Sequence, residues 1–145
     1  MSKQKYKFKV EGIVPPRNVK VKSMWNDSTE VQRLIEFRKK AYDALDGSLP
    51  LSKDIVLSIE IHLPRNSTGD LDNFIKGICD GLSVIKSTDN PNYEIHPDFD
   101  KREYENIHPK TFAMIEDDGE IIEITATKAV EDIEEPFYEI TVEGK

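Results

Sequence analysis

The sequence predicts one α+β domain, in which two main helices pack on a mixed β-sheet. Some segments alternate apolar and polar residues with the period of a strand, and two others repeat apolar residues at helical spacing. The predicted order is strand, helix, strand, helix and then further strands, which favours helices packed on one sheet. A chain of 145 residues is long enough to bury a core of its own, so we expect a single domain over residues 1–145.

The first part of the chain predicts one strand and one helix. Residues Lys5 to Val14 alternate between apolar and charged side chains, as a strand with one solvated face does. Pro15 and Pro16 end this strand, since proline has no main-chain N–H to donate to a sheet. Apolar residues at helical spacing then predict a helix from Thr29 to Leu45. Its candidate caps are Asp27, Ser28 and Thr29, and Thr29 with Gln32 matches a capping box.

The middle of the chain predicts the clearest strand and a second helix. From Asp54 to Leu63 every second residue is Ile or Leu, and Pro64 ends the run. Apolar residues between positions 71 and 85 then recur at the spacing of an amphipathic helix. Asp70 stands where the N-cap of this helix belongs.

The last part predicts a loop followed by strands. Residues Lys86 to Lys110 are polar and have no clear period, which indicates a long irregular loop or insertion. Phe112 to Glu116 is a short strand candidate, and the Asp-Gly pair that follows suits a hairpin turn. Glu120 to Ala129 and Phe137 to Val142 are predicted to form a pair of strands joined by an acidic loop.

Charge and cysteine content exclude several classes of protein. The net charge of -8 counts against a simple nucleic-acid-binding protein, but residues 1–53 carry a net +6 and the remainder a net -14. Such a basic half can present a phosphate-binding face, although a solubilising surface is the simpler interpretation. Cys79 is the only cysteine, so an internal disulfide and a cysteine zinc site are excluded. No apolar run reaches membrane-spanning or signal-peptide character, so we expect a cytoplasmic protein.

The run GDLDNFIK, from Gly69 to Lys76, is the candidate for chemistry. Asp70 and Asp72 are two residues apart where a strand gives way to a helix, and in extended chain that spacing directs both carboxylates to one side. Two carboxylates about 4 Å apart repel by roughly 4 kcal/mol at an effective dielectric of about 20. A divalent cation relieves this repulsion, and oxygen ligands favour Mg²⁺ or Mn²⁺. The alternative is helix capping, which places acids at a helix start without any ligand.

Lys76 and Asp80 continue one face of the same helix, because Asp72, Lys76 and Asp80 are each four residues apart. These three residues could form a ladder of salt bridges, or Lys76 could contact a phosphate. Asp117 and Asp118 form a second acidic pair, which becomes a metal-site candidate only if the fold brings it to the second helix.

In an ordered set of motifs, the chain resembles the RusA-type Holliday junction resolvases, small endonucleases of phage and prophage origin. The set begins with a strand that ends at Val14-Pro15-Pro16, with Asn18 after it. It continues with D-L-D-N-x-x-K-x-x-x-D from Asp70 to Asp80, the Asp117-Asp118 pair and Lys128. The resemblance covers most of the chain except Lys86 to Lys110, which is longer here than in compact members.

The resemblance implies a Mg²⁺-dependent homodimer that resolves four-way DNA junctions by paired nicks, with Mn²⁺ as a possible substitute and no small-molecule cofactor. It implies metal ligation by Asp70, Asp72 and Asp118, with Lys76 as the catalytic lysine. Asn73, Asp80 and Asp117 would be supporting residues, and Asp117 is the alternative third ligand, since Gly119-Glu120 stands where the family often shows a small residue and Gln.

The basic residues of the first half are the candidates for contacts with the DNA backbone. They are Arg17, Lys20, Lys22, Arg33, Lys39 and Lys40. Two other functions compete with the nuclease: a catalytically inactive DNA- or junction-binding module of the same fold, and a plain dimerisation domain.

Overall fold

The computed structural model describes residues 4–18, 24–84 and 95–144 of the chain. Within these ranges it forms one four-stranded mixed sheet with two long helices, which confirms the predicted α+β class. The elements are β1 (Gln4–Glu11), α1 (Glu30–Leu45), β2 (Ile55–Pro64), α2 (Leu71–Leu82), β3 (Ile121–Glu131) and β4 (Phe137–Gly144). No helix in the described ranges is long and apolar enough to cross a membrane.

The sheet has the strand order β1-β4-β2-β3, in which β4 is antiparallel to both β1 and β2. Strand β3 pairs with β2 alone and runs parallel to it. The predicted pairing of the last two strands is therefore wrong, because β2 lies between them. The reason is the crossover through α2, which returns the chain to the free edge of β2 in the parallel direction and leaves β4 to pair on the other side.

Both helices cover the same face of this sheet. The alternating apolar residues of β2, from Ile55 to Leu63, are at most 1% exposed, as their spacing predicted. Phe37 and Ala41 of α1 and Phe74 and Ile78 of α2 pack in the same core. Burial of these side chains holds α2 against β2 and β3, so that the polar side of α2 faces outward.

Helix α1 begins with a cap from Asp27 rather than from Thr29. The Asp27 Oδ1 atom accepts hydrogen bonds from the main-chain N–H groups of Thr29 and Glu30, at 2.9 Å and 3.0 Å. Thr29 has helical dihedral angles and makes no side-chain capping bond. The predicted capping box is therefore wrong, since Thr29 already lies within the first turn that Asp27 closes.

The described part of the predicted 86–110 insertion, residues 95–110, has more structure than an irregular loop. It forms two 3₁₀ helices, Pro97–Asp100 and Arg102–Ile107, which bury Phe99 and Ile107 against α1 and Trp25. The strand predicted at 112–116 is reduced to one isolated bridge, between Leu51 and Ile115.

Arg38 of α1 ties this segment to the rest of the domain. Its side chain is fully buried and donates to the carbonyl oxygens of Gly81, Ser83, Ile107, His108 and Phe112. The Trp25 and Phe112 rings lie about 5 Å from its guanidinium carbon, at 5.1 Å and 5.0 Å. Burial lowers the pKa of Arg38 to about 9, which leaves it charged at neutral pH. A buried cation therefore joins α1 to the end of α2 and to residues 107–112.

Candidate metal and DNA site on helix α2

Asp70 occupies the N-cap position of α2 but does not cap it. Its backbone is extended, with φ -84° and ψ 137°, and its carboxylate makes no capping hydrogen bond. The Asn73 and Phe74 N–H groups donate to the main-chain oxygen of Asp70 instead, at 3.1 Å and 3.2 Å. Asp72 is exposed in the first turn, and within the described residues neither carboxylate forms an ion pair. A capping hydrogen bond therefore does not account for Asp70, while Asp72 lies in the first turn, where the helix dipole favours an acid.

Gly69 and Lys128 fix the turn that carries Asp70. Gly69 has φ +139°, and a Cβ atom there would lie 2.6 Å from Cζ of Phe74, so only glycine fits between strand and helix. The Lys128 ammonium, on the edge strand β3, donates to the Gly69 carbonyl oxygen at 2.9 Å. Two residues that are far apart in sequence thus meet directly before Asp70.

Asp72, Lys76 and Asp80 form a row along the outer face of α2. No ion pair joins them in the part of the chain that the structure describes, so the predicted salt-bridge ladder is not formed there. Asp80 is exposed at the surface, yet partial desolvation by surrounding protein and the nearby Asp118 carboxylate raise its pKa to about 6, while Lys76 lowers it. The surroundings of Asp80 thus disfavour its charged form.

The Asp117-Asp118 pair opens the edge strand rather than closing a hairpin. Asp117 Oδ1 accepts from the Gly119 N–H at 2.9 Å, and a 3₁₀ turn over Asp118–Glu120 leads into β3. Desolvation, and then the charges of Asp118 and Asp80, raise the pKa of the half-buried Cys79 thiol to about 11. The acidic pair therefore reaches the second half of α2, and Cys79 is a protonated thiol at neutral pH rather than a nucleophile.

The resemblance implies one ligand set of Asp70, Asp72 and Asp118, and the start of α2 carries the first two of these residues. The 118–120 turn contacts α2, and the charge of Asp118 raises the pKa of Asp80, which lies ten residues beyond Asp70, about 15 Å along the helix axis. Among residues 4–18, 24–84 and 95–144, no three His, Cys, Asp or Glu side chains are grouped as a metal site. Asp70 and Asp72 thus lie at the start of α2, and the charge of Asp118 acts on its second half.

The chain that follows β1 packs against α2. The Asn18 N–H donates to the Asn73 carbonyl oxygen at 3.1 Å. Pro16 and Arg17 lie against Gly77, so closely that a Cβ atom on Gly77 would be 2.8 Å from the Arg17 Cα atom. Asn73 and Gly77 form the ridge beside the row of Asp72 and Lys76. This short segment, Pro15 to Asn18, therefore borders the outer face of α2.

Arg17 and Arg33, two of the predicted DNA contacts, share one buried carboxylate. Glu30 is 1% exposed, and its oxygens lie 2.7 Å from Nη1 of Arg33 and 3.7 Å from Nε of Arg17. The Arg17 N–H also donates to Glu30, at 2.7 Å. The two arginine side chains remain 32% and 20% exposed, so the cluster presents a net positive charge at the surface.

The four lysines predicted to contact DNA have different surroundings. Lys39 lies 3.8 Å from Glu36 and its ammonium is 4.8 Å from the centre of the Tyr104 ring. Lys40 is exposed. Lys20 and Lys22 lie outside the described residues.

Glu30, Gly77 and Arg38 were not among the residues predicted to shape the site. A glycine inside a helical pattern, as at Gly77, was the one sequence signal that another main-chain segment packs closely on the helix. Glu30 looked like an ordinary first-turn acid, and Arg38 looked like part of a basic run with Lys39 and Lys40.

Comparison with known proteins does not identify a family. Neither a scan against models of protein families nor a search among curated proteins finds a match to this chain. The RusA-type resemblance therefore stays a prediction, and a function has to be argued from the residues on and around α2.

Proposed function

We propose that this protein is a Mg²⁺-dependent endodeoxyribonuclease that cuts branched DNA, with four-way junctions as its substrate and a homodimer as its active form. Paired nicks in a junction require two sites, which a dimer supplies. The proposal rests on the sequence resemblance to RusA-type resolvases together with the surroundings of α2.

One observation carries the proposal: the separate motifs of the resemblance converge on a single helix. Asn18, which follows the proline pair, bonds to Asn73 in the first half of α2. Lys128 bonds to Gly69, directly before Asp70. The 118–120 turn contacts α2, and the charge of Asp118 raises the pKa of Asp80. A plain dimerisation domain gives no reason for segments so distant in sequence to surround an exposed row of acids.

The carboxylates at the start of α2 fit a hard divalent cation. Asp70 and Asp72 supply oxygen ligands that neither a capping bond nor an ion pair within the described residues occupies. Mg²⁺ is commonly held by one or two carboxylates, with water and substrate phosphate completing its coordination. When bound, such an ion makes a phosphodiester more electrophilic and water more acidic. Asp70 and Asp72 would hold the ion. Asp118 and Asp80 would add negative charge near the other end of α2.

Lys76 and the Arg17–Glu30–Arg33 cluster provide positive charge near the acids of α2. Lys76 lies one helical turn from Asp72, within reach of a phosphate held there. Arg17 borders α2 through its contact with Gly77. Contacts of this kind with the DNA backbone make binding strongly dependent on salt. We propose Lys40 and Lys39 as further contacts, and Lys20 and Lys22 as candidates by sequence.

The test is cleavage of a synthetic four-way junction in Mg²⁺ by the wild type and by the variants Asp70→Asn and Asp72→Asn. We expect the wild type to make paired nicks and each variant to be slower by roughly 100-fold or more, the effect of removing one electrostatic contact from a transition state. Asp43→Asn, an exposed acid of α1, is the matched control and should cut like the wild type. Equal cleavage by all four proteins would contradict the proposed site.

The same experiment separates the competing functions. Junction binding in EDTA without nicking in any Mg²⁺ or Mn²⁺ concentration identifies a catalytically inactive binding module. A protein that binds no DNA even at low salt is neither a nuclease nor a DNA-binding module, and a dimerisation domain is then the better account.

A further inference from the structure

We infer that Gly77 is a positioning residue, which locks the Pro15–Asn18 segment onto α2 so that Arg17 and the acidic face of α2 meet one DNA backbone. This inference rests on the proposed function, because it assigns a role within the same site. It concerns a residue that touches neither metal nor phosphate and acts only through the segment packed on it.

The space at Gly77 is the first step of the argument. A Cβ atom at this position would lie 2.5 Å from the carbonyl carbon of Pro16, closer still to its oxygen, and 2.8 Å from the Arg17 Cα atom. All three are main-chain atoms, so no rotation of a side chain can relieve the clash. Glycine within a helix lowers stability relative to alanine. The approach of the segment to α2 is a structural reason for accepting that cost.

Hydrogen bonds fix the segment on both sides of this contact. The Asn18 N–H bonds to the Asn73 oxygen on α2, at 3.1 Å. The Arg17 N–H bonds to the buried Glu30 carboxylate at the start of α1, at 2.7 Å. The segment therefore bridges the two helices, and a shift of its main chain at Gly77 would strain both bonds.

The position of the bridge has a consequence for DNA. Gly77 directly follows Lys76, and Asn73 directly follows Asp72, so the segment runs along the ridge next to the acidic row. The main chain of Arg17 touches Gly77, and the Arg17 side chain is 32% exposed. A phosphate backbone crossing the outer face of α2 would meet Arg17 at a fixed distance from Asp72.

The experiment compares the wild type with Gly77→Ala and with Gly81→Ala. Both variants add one methyl group to the same helix, but the methyl at position 81 would meet the Phe37 side chain, at 3.0 Å, instead of main chain.

For Gly77→Ala we expect at least about tenfold faster hydrogen exchange of the Asn18 amide. We expect the salt slope of junction binding to fall by about one, as for one lost phosphate contact. KM should rise about tenfold while kcat changes little. Gly81→Ala should retain the Asn18 exchange rate and the salt slope.

A second variant, Arg17→Gln, keeps the inference testable if Gly77→Ala does not fold. It leaves the close approach in place and removes only the cation, so it should reproduce the loss in salt slope without faster exchange at Asn18. An unchanged salt slope in Arg17→Gln overturns the inference. So does a folded Gly77→Ala protein whose Asn18 exchange or whose salt slope equals that of the wild type.

The two levels of proposal fail in different ways. If the wild type neither cuts nor binds a junction, the proposed function is wrong, and so is the role of Gly77 in DNA binding. If the wild type cuts and Gly77→Ala has the wild-type KM and salt slope, the function stands and the positioning role alone is wrong.

Discussion

Helices α1 and α2 both begin beside an aspartate, but only one of the two caps its helix. Asp27 receives two main-chain N–H bonds at the start of α1, whereas the Asp70 carboxylate receives no capping bond at the start of α2. The first-turn acids differ in the same way. Glu30 of α1 is buried between two arginines, and Asp72 of α2 is exposed. Acids at α1 stabilise the fold, and those at α2 are available to a ligand.

The largest expected effect is on stability at the start of α1. Glu30→Gln removes the negative charge that balances Arg17 and Arg33, and weakening hydrogen bonds to a charged group costs about 1.5–3 kcal/mol. Asp72→Asn, the corresponding change in α2, should cost less than about 0.5 kcal/mol because the side chain is exposed. Urea denaturation of both variants measures the difference. Equal losses of unfolding free energy would mean that Asp72 stabilises the fold as much as Glu30 does.

The next effect distinguishes the two helix starts by their response to a cation. At 10 times its dissociation constant, a ligand that binds only the folded protein stabilises it by about 1.4 kcal/mol. We expect Mg²⁺ to raise the melting temperature of the wild type and of Asp43→Asn, with the logarithmic dependence on concentration that such linkage gives. Asp70→Asn and Asp72→Asn should lose this response. A rise that both retain would place the cation elsewhere.

A smaller effect tests capping itself. Asp27→Ala removes two hydrogen bonds to the first turn of α1 and should cost about 1 kcal/mol. Asp70→Ala removes no capping bond and should cost only a few tenths of that. Thermal denaturation without divalent cations is the measurement, since bound Mg²⁺ would add to the effect at Asp70. A loss of 1 kcal/mol in Asp70→Ala would show that its carboxylate caps α2 in solution.

The elements themselves were predictable because their patterns reflect burial on one face. The alternation from Ile55 to Leu63 and the helical spacing of Phe74 and Ile78 follow directly from a sheet covered on one side by helices. The partner of β3 was not predictable in this way. Which edge a strand joins depends on the crossover through α2, and the local pattern of an exposed edge strand carries no information about it.

The positions of the candidate residues on their helices and strands were predictable from the sequence, but their neighbours in space were not. A sequence places Asp at the N-cap position in the same way whether or not the carboxylate turns toward the helix, so Asp27 and Asp70 looked alike. The association of Asp118 with Asp80 depends on the parallel register of β2 and β3. Arg38 lies in a basic run, and its burial is explained by the carbonyl groups that the end of α2 and the 107–112 segment gather around it.

The smallest expected effect lies at the far end of α2, where Asp80 meets Asp118. The pKa of Asp80 is raised to about 6 in the folded protein from its ordinary value of 3.8. The folded state therefore binds more protons than the unfolded state between about pH 4 and pH 6, and stability falls as pH rises through that window. Because Asp80 is exposed, solvent screening reduces the cost above pH 6 to about 1 kcal/mol or less.

Asp80→Asn removes this cost, so we expect the variant to be more stable than the wild type at pH 7.5 and equal to it at pH 4. Urea denaturation at the two pH values, without divalent cations, measures the difference. Asp118→Asn should give a smaller change of the same sign, because desolvation, the larger cause of the raised pKa of Asp80, stays in place. A difference that persists at pH 4 would have to come from packing rather than from charge. A wild-type pH dependence in Asp118→Asn would remove the electrostatic link between Asp118 and α2, on which the convergence of the acidic pair with the helix depends.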